Sequence, residues 1–217
     1  MRKMTGTEFN ERVSFFDRMA QTDWLSSLHR EMIVMAGPRK NKRIFDSGCG
    51  TGRLLARAAE KGTVLTGIDL SPRMIEASRK HLKMVCPENK TVLQTADAEQ
   101  LPFDDKTFEI SLCACVLFLL PDPERAFSEL ARVTSEKIVL LNPSENLSLD
   151  AAQVYIMEKN LKGDEKDMLM QWGRVSERRH RFSAESIRLL AEKNGFTVTG
   201  NRLAFGGLAL LTQLQQA

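Results

Sequence analysis

The stretch Ile44-Phe45-Asp46-Ser47-Gly48-Cys49-Gly50-Thr51-Gly52 constrains this chain more than any other. A short apolar strand over 42–46 runs into three glycines at alternate positions, and a helical pattern follows over 53–61. Glycines let a backbone approach a ligand closely, and the start of a helix offers unpaired N–H groups. In open α/β sheets the ligand sits beyond the carboxyl ends of the strands, where strand order reverses. Two common nucleotide turns do not fit. The dinucleotide pattern G-x-G-x-x-G/A meets Arg53 when counted from Gly48, and Leu55 when counted from Gly50. No Lys-Ser/Thr pair follows, so the turn is not a triphosphate loop. Both mismatches favour a ligand without a pyrophosphate.

The alternation of strand and helix continues along the chain. Residues 63–69 read as a second strand. Ser71 is a helix cap with Pro72 at the first helical position, and that helix runs to about residue 85. Residues 91–94 are a third strand. Residues 108–116 are a fourth, with the continuous apolar run of a strand buried on both faces. Asp122-Pro123 repeats the cap, and Ala126, Phe127, Leu130 and Ala131 share one helical face. A fifth strand over 137–141 follows. Ser183 caps a last helix that ends at Gly195, and segments 196–203 and 206–214 pair as a hairpin. The expected fold class is α/β, a Rossmann-like seven-stranded and mostly parallel sheet with helices on both faces.

One domain over 1–217 is expected. Its parts are an N-terminal helical cap at 8–36, a core at 42–142, an insertion or lid at 143–182, and a C-terminal helix and hairpin at 183–217. An insertion of about 40 residues is more often a functional lid than an idle connection.

Three aspartates follow three successive strands: Asp46, Asp69 and Asp97. A carboxylate at the second strand tip, 21 residues after Gly48, can accept both hydroxyls of a ribose. One at the third tip, in Ala96-Asp97-Ala98, can accept from an adenine amino group.

These segments resemble the class I S-adenosylmethionine-dependent methyltransferases of the small-molecule type, close to the quinone-biosynthesis C-methyltransferases. The likeness covers about 42–142 by motif and 183–214 by pattern. It implies S-adenosylmethionine as the cofactor and an antiparallel last strand. By this match the turn of Gly48, Cys49, Gly50 and Gly52 carries the methionine moiety, and Asp46 orients its amino group. Asp69-Leu70-Ser71-Pro72-Arg73-Met74 matches the second motif, with Asp69 on the ribose and Leu70 and Met74 flanking the adenine. Asp97 meets the adenine amino group, Ala98 supplies a backbone N–H, and the carbonyl of Cys113 accepts from the cofactor's amino group. Many relatives carry a His pair after the fourth strand, where this chain has Phe118-Leu119. No catalytic base is therefore carried over, and the catalytic residues stay unassigned.

Composition narrows the partners. Lys plus Arg is 31 and Asp plus Glu is 28, a net of +3 that gives no support to nucleic-acid binding. The charge is uneven: +4 over 1–43, −2 over 44–142 and +1 over 143–217. Cys49, Cys86, Cys113 and Cys115 lack metal-ligand spacing, so no metal is expected. Cys113 and Cys115, two apart in a strand, are expected on one face. The longest apolar run, 112–120, is too short to span a bilayer, and the N-terminus lacks an apolar signal core. A cytoplasmic protein is expected.

Candidates for the acceptor lie outside the core rhythm. Phe16 and Trp24 in the N-terminal segment, and Tyr155, Trp172 and His180 in the insertion, are the substrate candidates. Arg174, Arg178, Arg179 and Arg181 surround His180, so an anionic small molecule is one option for the acceptor. The expected reaction is in-line methyl transfer to a small molecule. Alternatives are an RNA or protein methyltransferase, a non-catalytic S-adenosylmethionine-binding subunit and, disfavoured by Arg53, an NAD-dependent dehydrogenase.

Overall fold

The computed structural model describes residues 1–217. Three helices, α1 (Gly6–Asn10), α2 (Val13–Gln21) and α3 (Asp23–Ala36), precede the first strand. The core then runs β1 (Arg43–Ser47), α4 (Arg53–Ala58), β2 (Val64–Asp69), α5 (Pro72–Val85), β3 (Lys90–Thr95), β4 (Phe108–Ala114), α6 (Pro123–Val133) and β5 (Thr134–Pro143). Helices α7 (Leu149–Lys159) and α8 (Gly163–Ser176) fill the insertion, and α9 (Ala184–Lys193), β6 (Phe196–Ala204) and β7 (Ala209–Gln216) close the chain.

The seven strands form one sheet in the order β3-β2-β1-β4-β5-β7-β6. All pairings from β3 to β5 are parallel, and β7 is antiparallel to both its neighbours. The Rossmann-like α/β architecture and its antiparallel last strand are therefore as expected. Strand order reverses between β1 and β4, which share the pair Phe45↔Ser111. The crevice above those two strand ends is the place such sheets reserve for a ligand.

The local signals act where they stand. The Ser71 side chain accepts from Met74 N–H with Pro72 at the helix start, and the Asp122 side chain accepts from Arg125 N–H ahead of Pro123. Four elements differ from expectation. One is β7, which starts at Ala209 instead of Gly206 because Phe205–Gly207 form a short helical turn. Helix α4 stops at Ala58 because Ala59 leaves the helical region (φ −59°, ψ 131°). The Thr63 hydroxyl accepts from Glu60 N–H outside the helix and competes with its continuation. Strand β4 ends at Ala114 because Cys115 turns to φ 57°. Period-2 alternation therefore stops there, and Cys113 and Cys115 do not share a face. Strand β5 starts at Thr134, three residues earlier than expected, directly from the end of α6.

The N-terminal helices and the insertion meet through aromatic rings. Trp24 of α3 stacks on Trp172 of α8 (5.4 Å, 13°) and on Phe205 between β6 and β7 (5.2 Å, 21°). Phe205 in turn packs on Tyr155 of α7 (4.3 Å). No helix is long and apolar enough to cross a membrane.

Candidate functional site

A cavity of about 230 Å³ opens over the carboxyl ends of β1, β2, β3 and β4. Backbone sterics shape its floor. Gly48 holds φ +77°, a region that side-chain-bearing residues rarely adopt, and a Cβ there would fall inside Val116 Cγ2. Gly48, Cys49, Gly50 and Thr51 therefore face the cavity as bare backbone or short side chains. Gly52 does not line it; it starts α4 against Ser78, whose Oγ is 2.5 Å from where a Cβ would stand.

Acids hold the next layer. Asp69 Oδ2 accepts from Gly50 N–H (3.1 Å) and Oδ1 from Ser71 N–H (2.9 Å), so it ties the glycine turn to the β2 tip. A carboxylate has about four acceptor sites, and two remain for a ligand. Burial raises the Asp69 pKa, and those two N–H groups oppose the rise. Asp46 is 2% exposed, lines the cavity, and its carboxyl makes no side-chain hydrogen bond. Burial and the nearby Asp69 push its pKa up to about 8. A cation placed in the cavity would reverse that shift.

The N-terminal segment lies across the strand tips. Lys3 Nζ donates to Asp97 Oδ1 and Oδ2 (2.7 and 2.6 Å) and to Glu99. Burial alone would raise the Asp97 pKa, but Lys3 and the Glu99 N–H hold it below its ordinary value. Gly6 packs so tightly on the Leu70 carbonyl that any Cβ would strike that oxygen. Asn10 Oδ1 accepts from Ser71 Oγ (2.6 Å) and Arg73 N–H (3.2 Å). Asp17 accepts from Thr51 Oγ1 (2.8 Å) and from the Arg53 guanidinium (3.0 and 3.1 Å). One segment thus roofs the tips of β1, β2 and β3.

Of the expected cofactor residues, Asp46, Gly48, Cys49, Gly50, Asp69, Leu70, Met74, Asp97 and Ala98 all line this cavity. Gly52 and Cys113 do not. The Cys113 side chain sits in the hydrophobic core, while Ala114, Cys115 and Val116 reach the cavity after the turn at Cys115. Burial pushes the Cys49 and Cys113 thiols well up and that of Cys115 up to about 12, so none is a thiolate near neutral pH. No cluster of His, Cys, Asp or Glu is arranged to hold a metal ion.

Of the acceptor candidates, Phe16 and Trp172 line the cavity, whereas Trp24, Tyr155 and His180 do not. Trp24 and Tyr155 belong to the aromatic stack behind Trp172. His180 sits on the loop after α8, and its backbone N–H donates to Phe118 O. The arginines around it do not line the cavity either. Arg179 donates to the carbonyls of Arg2 and Leu119, Arg181 to that of Leu147, and Arg174 to the Gln171 side chain. The lining residues without a sequence assignment include two with ionisable side chains from the N-terminal segment, Lys3 and His29. Lys3 sits outside every periodic segment. His29 had a signal: it follows Leu25 by four residues, on the apolar face of α3. It is 5% exposed, and burial pushes its pKa down to about 3, so the imidazole is neutral.

A parallel sheet, a glycine turn at its switch point and acids on successive strand tips are features this chain shares with the class I S-adenosylmethionine-dependent methyltransferases, to which it is similar. Residues 45–141 match the family described as a methyltransferase domain. Among curated relatives, phosphatidylethanolamine N-methyltransferase from Cereibacter sphaeroides is 31% identical over 55% of this chain and 58% of its own length. Aklanonic acid methyltransferase DauC from a Streptomyces species is 30% identical over 61% of this chain and 60% of its own. The chain spans about a third to three fifths of the curated relatives it matches. In fold it is similar to magnesium protoporphyrin IX methyltransferase from Synechocystis PCC 6803, solved with bound S-adenosylhomocysteine. That likeness has a TM-score of 0.70 at 17% identity and covers 97% of this chain and 99% of the other.

Proposed function

We propose that the chain binds S-adenosylmethionine and transfers its methyl group to a small-molecule acceptor. The observation that carries this reading is the convergence of the bare Gly48 turn, Asp46, Asp69 and Asp97 on one cavity with mostly apolar walls. The residues fit the cofactor. Asp69 has acceptor sites left for a ribose, Asp46 is a buried carboxyl that a cation would satisfy, and Leu70, Met74 and Ala98 offer flat apolar contact for a base. The bound cofactor supplies an electrophilic sulfonium methyl group. The chain's own residues position the two reactants and keep water out, which together supply much of the rate of such a displacement.

Relatives named for phosphatidylethanolamine and aklanonic acid support a small-molecule acceptor. The basic run at 174–181 gives no support to an anionic acceptor in the cavity, because none of its four arginines lines it, and Arg174, Arg179 and Arg181 are turned to carbonyls and to Gln171. All four cysteines are free, which suits a reducing, cytoplasmic setting. We read 1–217 as a single methyltransferase domain, since one cluster of 48 buried residues joins the cap, core and insertion.

Calorimetry with S-adenosylhomocysteine tests the reading directly. Binding in the micromolar range is expected, and no heat at millimolar ligand would sink it. Asp46 adds a pH signature. Its carboxyl is mostly protonated at pH 7 in the free protein, being below its value of about 8. The ligand's ammonium group placed beside Asp46 lowers that value, so binding at pH 7 releases part of a proton, and the release fades above roughly pH 9. Titrations in buffers of different ionisation enthalpy report it, and Asp46→Asn removes it. Equal heats in all buffers for the wild type would exclude Asp46 from the cation site. The same shift has a stability sign: the folded state binds the extra proton, so Asp46 makes the free protein less stable as pH rises from about 4 to 8.

A further inference from the structure

The cavity is small for its task. At about 230 Å³ it lies below the roughly 300–1,000 Å³ of ligand sites, and the proposed reaction needs two molecules in it. One wall must therefore move. The N-terminal segment is the wall held least by core packing. Helix α1 buries no residue and α2 buries Met19 alone, whereas α3 buries Leu25, Leu28, Met32 and Ala36 among others. The two parts meet at Thr22, whose backbone leaves the helical region (φ −56°, ψ 146°). The phenylalanines of the segment that line the cavity pack on one another: Phe9 on Phe16 (5.9 Å) and Phe15 on Phe16 (5.2 Å).

Polar contacts hold this segment down. At the end far from Thr22, Lys3 Nζ donates to both oxygens of Asp97 and to Glu99. The Lys3 and Asp97 side chains stay 28% and 40% exposed. Ion pairs so open to water are weak and are screened by salt. The Arg18–Asp164 pair (3.8 Å) and the Arg179 bond to the Arg2 carbonyl tie the same segment to the insertion. Breaking these contacts frees residues 1–21 and leaves α3 in the core.

We propose that residues 1–21 are a gate hinged at Thr22, and that Lys3 is its latch on Asp97 and Glu99. The gate leaves the strand tips to admit the reactants, and the latch keeps the free protein closed. The need to admit two molecules rests on the methyltransferase reading, whereas the hinge and the latch are features of the free chain. Once detached, α1 and α2 are five and nine residues long, too short to persist as isolated helices, so their amides exchange with solvent.

Hydrogen exchange of the full chain without ligand tests the gate on its own. In the wild type the amides of α1 and α2 should exchange at least tenfold faster than those of α3. Lys3→Met removes the charge and keeps an apolar stem, so it should speed exchange in α1 and α2 at least fivefold and leave α3 within twofold. Lys193→Met breaks the exposed pair with Glu124, far from the cavity, and should change neither. Equal protection of α2 and α3 in the wild type overturns the proposal, and that arm needs no variant to fold. So does a Lys3→Met protein that exchanges like the wild type, or a Lys193→Met protein that matches Lys3→Met. Stopped-flow binding of S-adenosylhomocysteine adds a second readout. The observed rate should level off with ligand concentration, and both high salt and Lys3→Met should raise the plateau. A rate that stays linear and equal in the two proteins overturns the gate. No binding at all, with the exchange pattern as expected, would instead remove the cofactor reading.

Discussion

Asp69→Ala is expected to weaken S-adenosylhomocysteine binding by one to two orders of magnitude and to lower the melting temperature as well. Both effects come from the same two oxygens. Each already accepts a backbone N–H, from Gly50 at 3.1 Å and from Ser71 at 2.9 Å. Each keeps a second acceptor site for a ribose hydroxyl. A hydrogen bond to a charged group contributes about 1.5–3 kcal/mol, so losing the ligand's pair accounts for a tenfold effect or more. Losing the backbone pair leaves two N–H groups short of partners at the junction of β1 and β2. At about 1–3 kcal/mol for each N–H, the melting temperature should fall by several degrees or more. Calorimetry and thermal unfolding on the same sample separate the two. A folded variant with unchanged affinity would remove Asp69 from the site, whatever its stability.

Gly48→Ala should abolish measurable S-adenosylhomocysteine binding. The new methyl group meets two penalties. The backbone at φ +77° costs a side-chain-bearing residue about 1–2 kcal/mol, and the Cβ collides with Val116 Cγ2. Val116 sits where the chain leaves β4 and itself lines the cavity, so moving it deforms the ligand's surroundings as well. The collision can be relieved separately from the strain. Adding Val116→Ala to Gly48→Ala should recover a substantial part of the stability and some binding, whereas Val116→Ala alone should cost a little packing. Strict additivity of the two substitutions in a double-mutant cycle would refute the contact as the cause.

Much of the site was legible because its signals are local. A strand followed by glycines, a Ser-Pro or Asp-Pro helix start, and an acid at a strand tip each depend on a few neighbouring residues. Nine of the expected cofactor residues line the cavity; the glycine turn and the three acids were readable from such motifs, and Leu70, Met74 and Ala98 came only from the resemblance to the methyltransferases. The two that do not, Gly52 and Cys113, differ for tertiary reasons. Gly52 makes room for Ser78 of α5, and Cys113 lies inside β4 with its side chain in the core, while the chain reaches the cavity only from Ala114 onward. The acceptor side was less legible. Trp24, Tyr155 and Trp172 look alike as aromatic residues in helical segments, yet only Trp172 reaches the cavity, because the other two are consumed by the stack with Phe205. Lys3 left no trace in any pattern, since its partners Asp97 and Glu99 lie some 94 and 96 residues away.

The sequence by itself determined the alternation of strands and helices, the glycine turn and the three acids that follow the strands. Short-range backbone preferences, capping and hydrophobic period encode those features within a few residues. Only the tertiary structure decided which aromatic face meets the cavity and that the N-terminal segment roofs the strand tips. Those outcomes depend on excluded volume and hydrogen-bond competition among residues far apart in the chain. No local pattern carries that information.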